Sequence, residues 1–247
     1  MRLVTRPRRV EHALLATPRR DTVTVIVLAV VTAALFVLMA MSGPRARIGV
    51  WDKDFLRLMV SNRAPWLTWV EKDVFNVLGL SVVTLPIRLA IAGFLAFRRR
   101  WWHFAAFVSA VVVSEIFIGT MKGLYARGRP PGSLVATSGF SFPSGHAVAA
   151  SVTAVAAVIA LFPEGPGRYA WGAGAVAFSG LMALSRAYLA AHWLSDAIAG
   201  VLLGTSCALV AAMVVHFIRI RVEGPAGPEA TAARAEARAS PAVERVP

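Results

Sequence analysis

Cysteine is nearly missing from this chain. Cys207 is the single one, set inside an apolar run, so no intramolecular disulfide can form and a cysteine-based metal site is excluded. Charge is scarce as well, at 16% of 247 residues, and no internal repeat is visible. Acidic residues are the rarer sign, 13 against 26 Lys and Arg, which leaves a formal charge of +13. Such a surplus could suit nucleic acid, but the basic residues form no single amphipathic stripe. They sit at the edges of apolar runs, where membrane topology puts them, so no nucleic-acid partner is expected. The stretch from Glu223 to Pro247 is Ala/Pro/Glu/Arg-rich with almost no large apolar residue, and is expected to be disordered.

What the chain has in excess is apolar sequence. It is 57% hydrophobic with a mean hydropathy of +0.64, whereas a soluble domain lies near about 45–50% apolar. A membrane span takes about 20 mostly apolar residues. Six such runs can be read: Thr22 to Met41, Val74 to Phe97, Trp101 to Met121, His146 to Phe162, Tyr169 to Leu189 and Trp193 to Ile218. The first is too long for a signal-peptide core and reads as a retained anchor. Between the first two runs, Trp51, Phe55, Leu58 and Met59 recur at helical spacing among charges, which predicts an amphipathic helix lying on the membrane. The fold class expected is an all-α polytopic membrane bundle of six transmembrane helices plus this amphipathic outer-loop helix. It divides into a basic N-terminal segment (1–21), the membrane domain (22–221) and a tail (222–247).

Orientation follows from the basic residues at the span ends. Arg98, Arg99, Arg100, Arg168, Arg219 and Arg221 join the N-terminal arginines on one side, expected to be cytoplasmic. Trp51, Trp66, Trp69 and Trp193 mark the outer boundaries and Trp101, Trp102 and Trp171 the inner ones. The expectation is a multi-pass protein of the cell (inner/plasma) membrane with both termini in the cytoplasm.

Most of the polar residues in or beside the spans fall in three short blocks. These are Lys122 to Pro130, Pro143 to His146, and Ser185-Arg186 followed by His192 and Asp196. On the expected topology all three lie at the outer ends of the last four helices. Phosphoryl transfer asks little beyond positioning and charge stabilisation of the equatorial oxygens. Lys122, Arg129 and Arg186 supply three cations, the arginines able to hold two oxygens at once. Ser144 and Gly145 sit where a helix begins, and the free N–H groups there favour an anion. His192 and Asp196 are four apart, so on a helix they share a face, and the carboxylate can hold one imidazole nitrogen while the other attacks phosphorus. His146 is then the acid for the leaving oxygen and later the base for water. The reaction read from these residues uses a phosphohistidine and no metal.

The pattern KxxxxxxRP, then PSGH, then SRxxxxxHxxxD resembles the three-part signature of the type 2 phosphatidic acid phosphatase superfamily. Its positions are filled by Lys122, Arg129, Pro130, Pro143, Ser144, Gly145, His146, Ser185, Arg186, His192 and Asp196. The resemblance implies metal-independent dephosphorylation of lipid phosphates or diphosphates, with no cofactor, His192 as nucleophile and His146 as acid. Phosphatidic acid, phosphatidylglycerophosphate and undecaprenyl diphosphate all suit a site at the bilayer surface. A phosphotransferase differs only in the acceptor. Vanadate-dependent haloperoxidases resemble the same blocks but are soluble, and a non-enzymatic scaffold or transporter would not need them.

Two further residues stand out. Arg88 lies mid-span just after Pro86, and Glu115 is the carboxylate nearest in depth. Charges at that depth are paired or functional. The expectation is an Arg88–Glu115 ion pair, or else a supporting role in which Glu115 orients Lys122.

Overall fold

The computed structural model of the protein describes Leu14 and residues 18–223. Expectations for the arginines before residue 18 and for the tail beyond residue 223 lie outside the described residues. Among the described residues every regular element is helical. The order is α1 (Pro18–Ala40), α2 (Ser42–Ser61), α3 (Pro65–Val70), a π-helical turn (Glu71–Phe75), α4 (Asn76–Leu78), α5 (Ser81–Phe97), α6 (Trp101–Tyr125), α7 (Gly145–Leu161), α8 (Pro166–Tyr188) and α9 (Leu194–Glu223).

Three described helices are long and apolar enough to cross a membrane: Asp21–Ala40, Trp101–Tyr125 and Leu194–Glu223. A fourth crossing results if Pro65–Leu78 and Ser81–Phe97 are taken as one span bent by 46°. The apolar run expected from Val74 to Phe97 is therefore divided. Its first residues end the preceding helical stretch, and Leu80 is extended (φ −71, ψ 146) before α5 starts. α7 has 17 residues, a length of about 25 Å against a hydrocarbon core of about 30 Å. Many apolar side chains point outward: Val23 and Val30 on α1, Val82 and Leu89 on α5, Ile116 on α6, Val176 on α8. A monomer in water would not leave so much apolar surface bare, whereas lipid covers it.

α7 is the central helix. Its residues Val148, Val152, Ala156 and Ala160 pack with Leu203, Cys207 and Ala208 of α9 and with Phe107 and Ala110 of α6. Two glycines bring α9 against α7. A Cβ on Gly200 would stand 2.7 Å from the Ser144 carbonyl oxygen, and one on Gly204 would stand 2.1 Å from Ser151 Oγ. Only glycine permits so close an approach, the small-residue packing that membrane helices use where lipid gives no hydrophobic drive.

The amphipathic segment presents an unexpected face inward. On α2 the buried residue is Asp52, with Phe55 and Met59 half-buried, while Trp51 and Leu58 are exposed. The physical reason lies in its partner, a buried arginine described below. The link between α6 and α7 is irregular and is pinned to α1 by aromatic packing. Phe142 is fully buried, its ring 5.0 Å from Phe36 and 4.7 Å from Tyr125 between centroids. His103 and His216 are buried.

Candidate active site

The helices alternate in direction, so the C-terminal ends of α6 and α8 meet the N-terminal ends of α7 and α9. All three sequence blocks converge there.

His192 sits in the tight loop between α8 and α9, whose backbone is tied down by Ala191 N–H and His192 N–H donating to the Arg186 carbonyl. Its Nδ1 is 2.7 Å from the carbonyl oxygen of Ser141, and its Nε2 is 3.2 Å from Arg129 Nη1. A carbonyl can only accept and a guanidinium can only donate. These partners therefore select the neutral tautomer with the proton on Nδ1 and a lone pair on Nε2. Burial pushes the imidazole below its usual value of 6.5. Asp196 opposes that shift, while the cations Arg129 and Lys122 reinforce it.

The expected His192–Asp196 hydrogen bond is not made. His192 precedes α9 rather than lying on it, and its Nδ1 is 3.8 Å from Asp196 Oδ2. Asp196 is the third residue of α9, and its Oδ2 accepts from the N–H of Trp193 (3.0 Å). This is the reach-back of an N3 acid onto the residue capping the helix. Its Oδ1 accepts from Arg127 Nη1 at 2.5 Å. Asp196 thus acts on His192 through the field and the loop, and Ser141 holds the ring.

Arg129 spans the facing loop, donating to the carbonyls of Ser138 (2.7 Å), Gly139 (3.0 Å) and Ala191 (2.7 Å). Lys122 Nζ donates to the Phe140 carbonyl at 2.7 Å. Arg186 is 1% exposed. It donates from Nη1 to Asn76 Oδ1 (2.9 Å) and from Nη2 to Ser185 Oγ (2.9 Å). Its Nε and the hydroxyl of Ser144 are buried with no hydrogen-bond partner. Such atoms are costly unless a ligand serves them, and an anion with several oxygens would satisfy the Arg186 N–H and the Ser144 O–H together.

Ser144 is the N-cap of α7. Its N–H donates to the Asp196 carbonyl (3.0 Å), so it is not available to a phosphate as expected. The N–H groups that a helix leaves free begin with Gly145, the first residue of α7. The His146 ring is held by Nε2 at 3.2 Å from the carbonyl of Asn76. It also lies on Gly79, where an added Cβ would stand 2.1 Å from its Cδ2. Glu115 does not orient Lys122. It accepts from Arg88 Nη1 at 2.7 Å, and Arg88 Nε donates to Thr153 Oγ1 at 2.9 Å.

Comparison with known proteins agrees with this convergence. The PAP2 superfamily matches residues 102–220. Phosphatidylglycerophosphatase B of Bacillus subtilis (strain 168) is 30% identical over 162 residues, 62% of this chain and 77% of that protein. The chain belongs to the PAP2 superfamily. Its fold is similar to two solved structures. The first transmembrane PAP2 type phosphatidylglycerolphosphate phosphatase from Bacillus subtilis superposes with a TM-score of 0.65 at 24% identity, covering 80% of this chain and 96% of that one. LpxE of Aquifex aeolicus superposes with a TM-score of 0.53 at 22% identity, covering 64% and 92%. At those identities the likeness is one of fold.

Three residues of this PAP2 site escaped the sequence reading. Asn76 holds His146 with its carbonyl and Arg186 with its side chain, directly after the π-helical turn, a device frequent at functional sites. Arg127 is buried between two carboxylates, with Nη2 2.6 Å from Asp52 Oδ2 and Nη1 on Asp196. Asp52 also accepts from the N–H (2.9 Å) and the hydroxyl (2.6 Å) of Ser195. Arg127 stands two residues before Arg129, a spacing that could have drawn notice. Asp52 is flanked by Lys53 and Asp54 and carries no local signal.

Proposed function

We propose that this PAP2 protein is a metal-independent membrane lipid phosphatase that works through a phosphohistidine. The observation that carries the reading is the state of His192. It is neutral by burial, its Nδ1 proton is held by the Ser141 carbonyl, and its Nε2 lone pair is turned toward Arg129.

In the first step His192 Nε2 attacks phosphorus in line with the lipid oxygen, and the P–O bond to the lipid breaks. His146 acts as an imidazolium, charged beside the bound phosphate: its Nε2–H stays on the Asn76 carbonyl and its Nδ1 gives a proton to the departing alkoxide or phosphate oxygen, leaving the ring neutral. Lys122, Arg129, Arg186 and the first N–H groups of α7 hold the equatorial oxygens, and Ser144 donates its hydroxyl. A well-aimed donor of this kind contributes about 3 kcal/mol in the transition state. In the second step His146, now a base, takes a proton from water. The hydroxide attacks phosphorus, and orthophosphate leaves as His192 regains its lone pair. Asp196 fixes the loop that carries the nucleophile and steadies the positive imidazole that forms.

The substrate class is a lipid phosphate or diphosphate, which the printed name of the B. subtilis relative also suits. We place the chain across the membrane six times, with α7 and α8 crossing beside the longer helices. The basic residues at 98–100, 168, 219 and 221 put both termini in the cytoplasm and the site on the outer face.

The test is phosphate release by the purified protein from phosphatidic acid, phosphatidylglycerophosphate and undecaprenyl diphosphate, in detergent with chelator. Turnover is expected to persist with chelator. His192→Ala should lower it by roughly 10⁴-fold or more while leaving thermal unfolding unchanged. A radiolabelled lipid phosphate should also leave an alkali-stable, acid-labile label on the wild type and none on the variant. Substantial turnover by His192→Ala would sink the mechanism.

A further inference from the structure

A cavity of about 570 Å³ opens beside His146 and runs between α5, α6 and α7. Gly79 and His146 line its catalytic end, and Leu89 and Phe107 are among its apolar walls. Two charged residues line it as well, Arg88 and Glu115. An aliphatic groove next to a phosphate site would be unremarkable, but a guanidinium in its wall needs a reason.

The pair is unevenly built. The Arg88 side chain is 10% exposed and that of Glu115 52%. Thr153 and Glu115 take two of the three guanidinium nitrogens, while Nη2 is buried and has no hydrogen-bond partner. Thr153 also fixes where this group stands. It lies two helical turns beyond His146 on α7, about 10 Å along the axis. A hydrocarbon chain passing that point would leave a charged donor desolvated and unpaired, which is costly. A chain with an oxygen there would satisfy it.

We infer that the cavity holds the acyl-glycerol part of a glycerophospholipid phosphate, with Arg88 donating to an ester carbonyl oxygen of the lipid. This rests on the phosphatase reading and narrows its substrate class. With the phosphate on the cations beside His146, a glycerol backbone leads its esters away from phosphorus toward Arg88. An isoprenoid diphosphate offers only hydrocarbon beyond its phosphates. Glu115 aims the guanidinium, and Thr153 sets its depth. A site that hydrogen-bonds its substrate discriminates against an analogue lacking the acceptor more sharply than a purely apolar groove does.

The decisive measurement compares diacyl phosphatidic acid with its dialkyl-ether analogue, of equal chain length and in matched mixed micelles. The ether keeps the tails and the phosphate and lacks the carbonyls. The wild type is expected to favour the diacyl lipid in kcat/KM by about tenfold, the worth of one hydrogen bond from a charged donor. Arg88→Met should collapse that ratio toward one. Equal wild-type rates on the two lipids would overturn the inference, and so would a preference that survives in Arg88→Met. The wild-type comparison decides the matter even where the variant does not fold. A prenyl diphosphate run alongside should be the poorer substrate. No phosphate from any of the three lipids would instead overturn the phosphatase reading itself.

Discussion

Two aspartates on one helix turn make opposite predictions. Asp52 is 3% exposed and accepts three hydrogen bonds, one from Arg127 Nη2 and two from Ser195; its charge also balances a guanidinium that is itself buried. Each is short, between 2.6 and 2.9 Å.

Removing the carboxylate with Asp52→Ala leaves Arg127 with Asp196 and the Ser195 hydroxyl, strips Nη2 of its partner and leaves both Ser195 donors unmatched. Breaking a buried pair from one side costs about 3–5 kcal/mol. In a chain of this size each kcal/mol moves the unfolding midpoint by about 2–4 °C, so a drop of roughly 10 °C is expected. Asp54 provides the control. Its carboxylate is 55% exposed and pairs with an Arg57 that is 78% exposed, an arrangement worth less than about 1 kcal/mol. Asp54→Ala should therefore leave the midpoint almost where it was. The assay is thermal unfolding of both variants in one detergent at one salt concentration. Equal shifts for the two would refute the claim that Asp52 anchors α2 to the site.

Two further outcomes follow from the geometry around the histidines. His192 titrates below the usual 6.5 because it is buried among cations, and as the proposed nucleophile it must be neutral. Activity should therefore be present above that lowered value and fall as the pH drops through it, so the acid limb of kcat/KM lies below pH 6.5. An acid limb at or above 6.5 would contradict the burial argument. Gly79→Ala puts a Cβ 2.1 Å from His146 Cδ2 and 2.7 Å from Cγ, so the ring must move. A misplacement of about 1 Å can cost about 100-fold, and the loss should be larger for an alkyl phosphate than for an aryl phosphate, whose leaving group needs no proton. Equal losses on both would show that Gly79 serves packing and not the acid.

The parts of the site that were legible in the sequence are those whose chemistry is written in residue type and spacing. Lys122, Arg129, Arg186, His146 and His192 are polar residues in an apolar chain, and few positions can explain them. The Arg88–Glu115 pair was legible for the same reason, since a charge at that depth must find a partner. What failed was local geometry. Four-residue spacing suggested a His192–Asp196 contact, but the helix starts two residues too late for it, and Asp196 turns to the Trp193 N–H instead. Asp52 and Asn76 could not be found, because their importance comes from neighbours far along the chain: Arg127 and Ser195 for one, His146 and Arg186 for the other. The helical class was plain from composition. The bend at Gly79–Leu80 was not, since both sides of it are equally apolar.

Asn76 grips the His146 ring with its main chain and the Arg186 guanidinium with its side chain. The proposed acid and one of the proposed phosphate-binding cations therefore hang from one hook. Any strain that pulls the corner between the π-helical turn and α5 carries both away together. In the proposed mechanism a shift there would weaken proton delivery by His146 and phosphate binding by Arg186 together, while Lys122 and Arg129 are held from other loops.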